Sequence, residues 1–153
     1  MVTSKRIRSI LVPTDGSGRA VKGIREAINL ARALHAKVNG VYVIPPSPAA
    51  YGEHARYYQG GLTPADYRKY TRRAASKALD VMESAARKAG VRCTTRFVTD
   101  EKPWHGILRA ARAARADLIV MASHGRGAIS TLLLGSETTR VLAQSKIPVL
   151  VAR

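Results

Sequence analysis

Short apolar runs alternate with longer segments of helical periodicity along this chain. Apolar and often β-branched runs occupy residues 7–12, 38–44, 91–98, 117–122 and 147–152. Apolar positions spaced by three or four residues mark residues 19–35, 64–89, 103–115 and 136–145 as amphipathic helices. Strands that alternate with helices predict a parallel sheet covered on both faces. The pattern therefore predicts an α/β fold with a five-stranded parallel sheet, doubly wound as a three-layer α/β/α sandwich.

One segment interrupts this alternation. Residues 45–63 hold three prolines and three glycines, together with Tyr51, Tyr57 and Tyr58. A loop of this length inside a compact domain is typically functional or mobile. The tyrosine rings suit either a flap over a bound base or a tether that holds the loop down. With 153 residues in all, the chain fits a single domain over residues 1–153 that carries this one long loop.

The net charge is unusual. The chain has 26 Lys and Arg residues against 10 Asp and Glu, a formal charge of +16. Such a surface attracts anions such as nucleotides, nucleic acid, acidic proteins or anionic lipid. The basic residues are spread over the whole chain, so a solvated surface explains them equally well. The sequence has no recognised nucleic-acid-binding motif, and a nucleic-acid partner is therefore not expected.

Cysteine content and hydropathy indicate the compartment. Cys93 is the single cysteine, which excludes an internal disulfide and any multi-cysteine zinc site. No apolar stretch approaches the ~18 residues of a membrane span, and the N-terminal residues lack the features of a signal peptide. We expect a cytoplasmic protein without a membrane span.

Candidate ligand residues follow the predicted strands. In a doubly wound sheet the ligand binds beyond the carboxyl ends of the strands, here in the loops at residues 13–18, 45–62 and 123–135. Gly125 and Gly127 allow close approach of the backbone, and Arg126 adds positive charge. Gly135 precedes a helix that begins at Ser136, where unpaired N–H groups and the helix dipole favour an anion. This pattern suits a phosphate site or a simple capped turn.

Three motifs in order carry a family resemblance. They are Ile-Leu-Val-Pro-Thr-Asp-Gly-Ser at residues 10–17, Asp-Leu-Ile-Val-Met-Ala-Ser-His-Gly-Arg-Gly at residues 117–127, and Leu-Gly-Ser-Glu-Thr at residues 134–138. Over nearly its whole length the chain resembles the universal stress protein family. Its nucleotide-binding members carry Gly, two residues, Gly, nine residues, then Gly-Ser or Gly-Thr. Gly125 and Gly135-Ser136 match this pattern, but Ala122 stands at the first glycine. An alanine fits there if the strand-end backbone is extended, and is strained if φ is positive.

The resemblance implies a set of nucleotide-binding residues. Pro13, Thr14 and Val43 would line the adenine side, and Asp15 would lie near the ribose and a metal ion, Mg or Mn. The ribose and phosphates would be surrounded by Met121, Ala122, His124, Gly125, Arg126, Gly127, Gly135, Ser136, Glu137 and Thr138. Ser136 and Thr138 would donate to phosphate oxygens. Two readings compete with these roles. Asp15 also suits a turn in which it binds its own backbone, and the Glu137 carboxylate would repel phosphates unless a metal bridges them.

The resemblance implies a universal stress protein that binds ATP, or ADP or AMP, and acts as a nucleotide-dependent regulator with slow or no hydrolysis. No catalytic residue is assigned, because His124 has no evident partner in the sequence. The resemblance also implies a homodimer formed through the last strand, residues 147–152. Two alternatives remain open at this point. One is a dimeric stress protein that binds no nucleotide and acts through an unidentified protein partner, and the other is a nucleic-acid binder that uses the basic surface.

Overall fold

A computed structural model describes residues 6–47, 63–125 and 133–153. Over these ranges the chain forms five strands that alternate with four helices. Residues 48–62 and 126–132 lie outside the described residues. In chain order the elements are β1 (Ser9–Pro13), α1 (Ala20–Leu34), β2 (Lys37–Ile44), α2 (Pro64–Lys88), β3 (Cys93–Thr99), α3 (Pro103–Ala113), β4 (Leu118–Ala122), α4 (Ser136–Gln144) and β5 (Val149–Ala152).

The five strands form one parallel sheet in the order β3-β2-β1-β4-β5. In its centre, Ile10 of β1 pairs with Val38 on one side and with Leu118 on the other. The predicted α/β fold is confirmed. Because the chain builds outward from β1 to β3 and then returns to β4, the strand order reverses between β1 and β4. In doubly wound sheets the ligand crevice lies beyond the carboxyl ends of the two strands at such a reversal, here β1 and β4.

Two apolar layers flank the sheet. On one face, Ile10 and Val12 pack with side chains of α1 and α2, among them Ile24 and Met82. On the other face, Leu11 and its neighbours in β2 and β4 pack with α3 and α4, and this cluster includes Val141. Successive side chains of a strand point to opposite faces, so each inner strand contributes to both cores. The crevice between β1 and β4 is thus supported by rigid, closely packed strands.

Both ends of the long segment after β2 are anchored. Thr63 and Asp66 form a reciprocal capping box at the start of α2. Tyr67 is buried, and its hydroxyl donates a hydrogen bond of 2.7 Å to the carbonyl of Pro45. These contacts hold the start of α2 against the end of β2. The predicted flap or tether, with its three tyrosines, falls within residues 48–62 and lies outside the described residues.

The last strand lies at an edge of the sheet, as predicted, but is shorter than the apolar run suggests. It begins at Val149 and ends at Ala152, and Ile147 and Pro148 precede it. The carbonyl of Pro148 still accepts a hydrogen bond from the N–H of Ile119. In the part of the chain that the structure describes, no helix is long and apolar enough to cross a membrane.

Candidate functional site

The loop after β1 is a tight turn that places Asp15 at the crevice. Thr14 is buried, and its N–H donates to the carbonyl of Val41 at 2.9 Å. Oδ1 of Asp15 accepts the N–H of Ser17 at 2.9 Å, and Gly16 adopts a positive φ of 77°. Asp15 therefore does bind its own turn. Ser17 in turn accepts the N–H of Ala20 at the start of α1.

The second oxygen of Asp15 faces the loop after β4. A Cβ built on Gly125 would lie 2.7 Å from Oδ2 of Asp15, closer than ordinary van der Waals contact. Gly125 does not need a positive φ, so its lack of a side chain serves the close approach of the two loops. The sequence placed Asp15 and Gly125 about 110 residues apart, and the parallel topology brings them together.

Gly135 and the start of α4 form the other wall of the crevice. The N–H of Gly135 donates to the carbonyl of Ser123 at 2.8 Å, and a Cβ on Gly135 would lie 3.3 Å from Cα of His124. Gly135 is the N-cap of α4, and no side chain caps the helix there. The first N–H groups of a helix lack intrahelical partners. The exposed Ser136 hydroxyl adds a further donor at the same end, so this end of α4 presents several donors to an anion.

Ala122 fits its position without backbone strain. It is the last residue of β4 and pairs with Ala152 of β5. Among the described residues other than glycine, a positive φ occurs at His35 and Arg115, so the backbone of Ala122 does not require glycine. The hydroxyl of Thr138 donates to the carbonyl of Ala122 at 3.0 Å. That hydroxyl therefore connects α4 to β4 and is not directed to a ligand.

The Glu137 carboxylate is engaged by contacts within the fold. Its Oε2 accepts the N–H of Trp104 at 2.7 Å, and its Oε1 lies 3.5 Å from Nη1 of Arg140. Trp104 is the second residue of α3, where N–H groups also lack intrahelical partners. Glu137 thus joins the starts of α3 and α4, and its charge is balanced by these contacts.

His124 contributes an imidazole with one engaged nitrogen. Nδ1 lies 2.9 Å from Oγ of Ser123. Nε2 is buried and has no hydrogen-bond partner among the described residues, and a buried polar atom of this kind calls for a partner. The adjacent predicted residues Arg126 and Gly127 lie outside the described residues.

Of the residues predicted for the adenine side, Val43 packs on the α3 side of the sheet, together with Met121, which was predicted for the ribose and phosphates. Pro13 ends β1, and Met121 is buried in β4. Val43 is half-buried, and a Cβ on Gly106 would lie 2.9 Å from Cγ1 of Val43. Met121 and Val43 belong to the same apolar cluster. The absence of a side chain at Gly106 lets α3 approach β2 at this position.

A charged cluster borders Val43 at the end of β3. Burial raises the pKa of Asp100, but the N–H of Lys102, His105 and Arg109 outweigh it, so the pKa of Asp100 is lowered. Nδ1 of His105 lies 2.8 Å from Oδ2 of Asp100, and Nη2 of Arg109 lies 3.7 Å from the same oxygen. Within residues 6–47, 63–125 and 133–153, no group of three or more His, Cys, Asp or Glu side chains is placed to hold a metal ion by itself.

Three contributions to the site were not predicted from the sequence. Ser123 positions both Gly135 and His124, and Gly106 admits Val43. Gly23 lets α1 approach β4, since a Cβ there would lie 2.8 Å from N of Ala122. Ser123 adjoins the glycine loop and was within reach of motif analysis. The two helical glycines signal close helix–strand contact only once the topology is known.

Comparison with known proteins places the chain in a family. It is 32% identical to a universal stress protein of Thermus aquaticus over 146 residues, which covers 95% of this chain and 98% of the relative. The structure of the universal stress protein UspA from Lactobacillus plantarum is 25% identical, covers 98% of this chain and 100% of that chain, and superposes with a TM-score of 0.76.

Two further structures share this fold and contain adenine compounds. A universal stress protein in complex with cAMP is 23% identical, with coverage of 97% of this chain and 98% of that chain and a TM-score of 0.68. One from Archaeoglobus fulgidus in complex with dAMP is 21% identical, with coverage of 97% and 100% and a TM-score of 0.67. The sequence model described as the universal stress protein family matches residues 6–153, and the chain therefore belongs to the universal stress protein family.

Proposed function

We propose that this universal stress protein binds an adenine nucleotide, ATP or its products ADP and AMP, in the crevice between β1 and β4. The observation that carries the proposal is the close approach of Gly125 to the Asp15 carboxylate beside the uncapped start of α4. A carboxylate that accepts ribose hydroxyls next to helix N–H groups that bind phosphate is the arrangement a nucleotide requires. The cAMP and dAMP complexes of proteins with this fold support an adenine compound.

The phosphates would bind at the start of α4. The donors there are the hydroxyl of Ser136 and the backbone N–H groups of Ser136, Glu137 and Thr138, with Nε2 of His124 beside them. Gly135 lets the start of α4 approach the loop at Ser123 and His124, and Arg126 and Gly127 extend that loop in sequence. Because the Glu137 carboxylate contacts Trp104 and Arg140, it does not oppose an anion at this end of the helix.

The base would lie on the apolar side of the crevice, against Pro13, Thr14 and Val43, with Met121 and Ala122 towards the ribose. Mg or Mn would bind together with the nucleotide, with Asp15 and phosphate oxygens as ligands, because hard cations prefer such oxygens. We propose slow or no hydrolysis, since the candidate carboxylates Asp15 and Glu137 each hold a backbone N–H of the fold. The protein then acts as a nucleotide-dependent regulator in the stress response.

The test is calorimetric titration of ATP with Mg into the wild type, Gly125→Ala and Gly18→Ala. A Cβ at Gly125 meets Asp15, whereas a Cβ at Gly18 has nothing within 4 Å, and neither glycine needs a positive φ. We expect Gly125→Ala to weaken ATP at least about tenfold, or ~1.4 kcal/mol, and Gly18→Ala to bind as the wild type. Equal weakening in both variants contradicts the assigned position.

Charge alone attracts polyanions to this protein, so GTP and pyrophosphate are titrated in parallel. If all three compounds bind with equal affinity, the interaction is non-specific electrostatic attraction. A wild type that binds no ATP would favour the alternative of a dimeric stress protein that acts through a protein partner.

We also propose that the protein is a cytoplasmic homodimer paired through β5. The single cysteine supports a reducing compartment. β5 occupies a sheet edge, Leu150 on it is exposed, and Leu133 and Leu134 are exposed beyond the end of β4. An apolar edge strand favours pairing with a second chain.

A further inference from the structure

A cation stands at the start of every strand of the sheet. Each of these five residues is either the first residue of its strand or one of the three residues before it. All five are exposed: Arg8, Lys37, Arg92, Arg115 and Lys146. Because the sheet is parallel throughout, all strand starts lie at one edge of the molecule, opposite the nucleotide crevice. We call these five residues the amino-end row.

The residues of the amino-end row are neighbours in space. The N–H of Lys37 donates to the carbonyl of Arg8 at 2.9 Å, and the N–H of Val38 donates to the carbonyl of Arg92 at 2.9 Å. Adjacent strands lie ~4.8 Å apart, so a row that crosses five strands extends over about 19 Å. The row is a continuous cationic strip along one end of the protein.

Helix ends widen this strip. All four helices run antiparallel to the strands, and their carboxyl ends therefore reach the same edge. Arg32, Arg87, Lys88 and Arg112 lie exposed in the last turns of three of them. These four complement the helix dipoles and need no partner. Arg115 and Lys146 directly follow the C-caps of α3 and α4 and share this role, whereas Arg8, Lys37 and Arg92 stand at strand starts, and strands carry little net dipole.

Acidic residues are scarce at this end. Of the described carboxylates, Asp117 lies here, and its Oδ2 accepts the backbone N–H groups of Arg8 and Ser9. Glu83 of α2 accepts the hydroxyl of Thr95, the third residue of β3, and so lies near Arg92 as well. Two carboxylates offset only part of the repulsion among the clustered cations, and the remaining repulsion destabilises the fold. An arrangement of this kind is explained when a polyanion binds to it.

Arg115 occupies a backbone position that favours glycine. It follows α3 with a left-handed backbone, φ 48°, at the type of position that Gly90 occupies after α2 with φ 68°. A left-handed conformation costs a residue other than glycine roughly 1–2 kcal/mol. His35 adopts the same conformation after α1 with φ 53°, so these turns accept a side chain, and Arg115 places a cation at this one.

We propose that the amino-end row binds the phosphate backbone of a nucleic-acid duplex without reading its sequence. A duplex carries one charge per ~1.7 Å, so about eleven phosphates lie along the ~19 Å row. Three of the five residues are arginines, which form paired hydrogen bonds to phosphate. Of the large apolar side chains exposed in the described residues, Leu142 in the last turn of α4 and Leu150 near the start of β5 lie towards this end, and a membrane-binding surface needs more apolar contact.

The experiment measures binding of a fluorescent DNA duplex by anisotropy over a range of salt concentrations. The row variant combines Lys37→Gln, Arg92→Gln, Arg115→Asn and Lys146→Gln. The matched control combines Arg68→Gln, Lys69→Gln, Arg73→Gln and Lys77→Gln on the outward face of α2, where all four residues are exposed. Both variants lose the same formal charge, so general attraction affects them alike.

We expect wild-type affinity to fall steeply with salt. The row variant should lower the slope of log Kd against log salt by about 3 to 4, at ~0.9 per phosphate contact, and the control by less than about 1. Melting temperature should not fall in the row variant, since repulsion is relieved. The proposal is overturned if both variants lose the same affinity for the duplex, or if the wild type does not bind the duplex. It is also overturned if the row variant loses affinity only for phosphatidylserine vesicles. ATP titration is independent of this result.

Discussion

Cys93 is a thiol whose surroundings suppress its reactivity. Partial burial and the nearby Glu83 carboxylate raise its pKa to about 11, and the thiolate is the reactive form. At pH 9 the fraction of thiolate is then about a hundredfold lower than in a fully ionised thiol. We expect alkylation by iodoacetamide to be correspondingly slow at pH 9 and to accelerate up to about pH 11.

Glu83→Gln provides the control for this prediction, because removal of the second cause lowers the pKa of Cys93 and speeds alkylation at pH 9. The raised pKa of Cys93 also makes the stability of the fold depend on pH. The folded thiol keeps its proton up to about pH 11, whereas an unfolded thiol loses it near ~8.5, so stability falls as pH rises through this window. Cys93→Ala removes that dependence. An alkylation profile with its midpoint near pH 8.5 would contradict the account.

Individual site residues illustrate what the sequence can and cannot predict. Asp15 suited a turn or a ligand site, and the structure shows the turn at Oδ1 while Oδ2 faces Gly125. Motif spacing cannot distinguish two oxygens of one carboxylate. The sequence assigned the hydroxyl of Thr138 to phosphate, but it donates to the carbonyl of Ala122, because a buried hydroxyl at a helix start takes the nearest unpaired carbonyl.

At the scale of the elements, Glu137 connects two helix starts. Glu137→Ala leaves the N–H of Trp104 without its 2.7 Å acceptor, and we expect a loss of about 1–2 kcal/mol in the free energy of unfolding. Glu137→Gln keeps an acceptor oxygen and should lose less. The measurement is urea denaturation followed by the fluorescence of Trp104, the single tryptophan.

Arg140→Ala is the control for this prediction. It removes the exposed ion pair with Glu137 but leaves the hydrogen bond to Trp104 in place, and surface pairs contribute little. We expect a change below about 0.5 kcal/mol. If Arg140→Ala destabilises the protein as much as Glu137→Ala, the ion pair and not the backbone contact joins the helices.

Element order and type follow from hydrophobic periodicity, while element ends depend on neighbours. The apolar run at residues 147–152 predicts a six-residue strand, but pairing with β4 starts at Val149. Pro148 has no N–H to donate and precedes the paired positions. Thr63 and Asp66 mark the start of α2 in the sequence itself, because a capping box is formed by residues close together in the chain.

At the scale of the whole molecule, the parallel sheet separates two chemistries. The carboxyl ends of the strands hold Asp15, Gly125 and Gly135, and the amino ends hold the amino-end row. Composition gives the charge of +16 but not its position, which appears once each cation is assigned to the start of a strand. The predicted topology was sufficient to assign each cation to a strand start. The close approach of Gly23 to Ala122 could be seen only in the structure.

The two edges of the sheet differ in a way that favours one of them for the proposed dimer. β5 contains no charged residue, and Leu150 on it is 38% exposed. On β3, Phe97 is 45% exposed, but the Arg72 guanidinium lies 5.9 Å from its ring centroid and Arg96 is exposed beside it. Charges on an edge strand oppose pairing with another chain. The apolar β5 edge is therefore the one expected to pair.

Sedimentation velocity of the wild type, Leu150→Glu and Phe97→Glu tests this expectation. We expect a wild-type dimer, a monomer for Leu150→Glu and a dimer for Phe97→Glu, because a carboxylate buried in a strand pair lacks a partner. Each protomer carries a formal charge of +16, so added salt screens their repulsion and strengthens the dimer. A monomeric wild type would contradict pairing through β5. So would a wild-type dimer that Phe97→Glu dissociates and Leu150→Glu leaves intact.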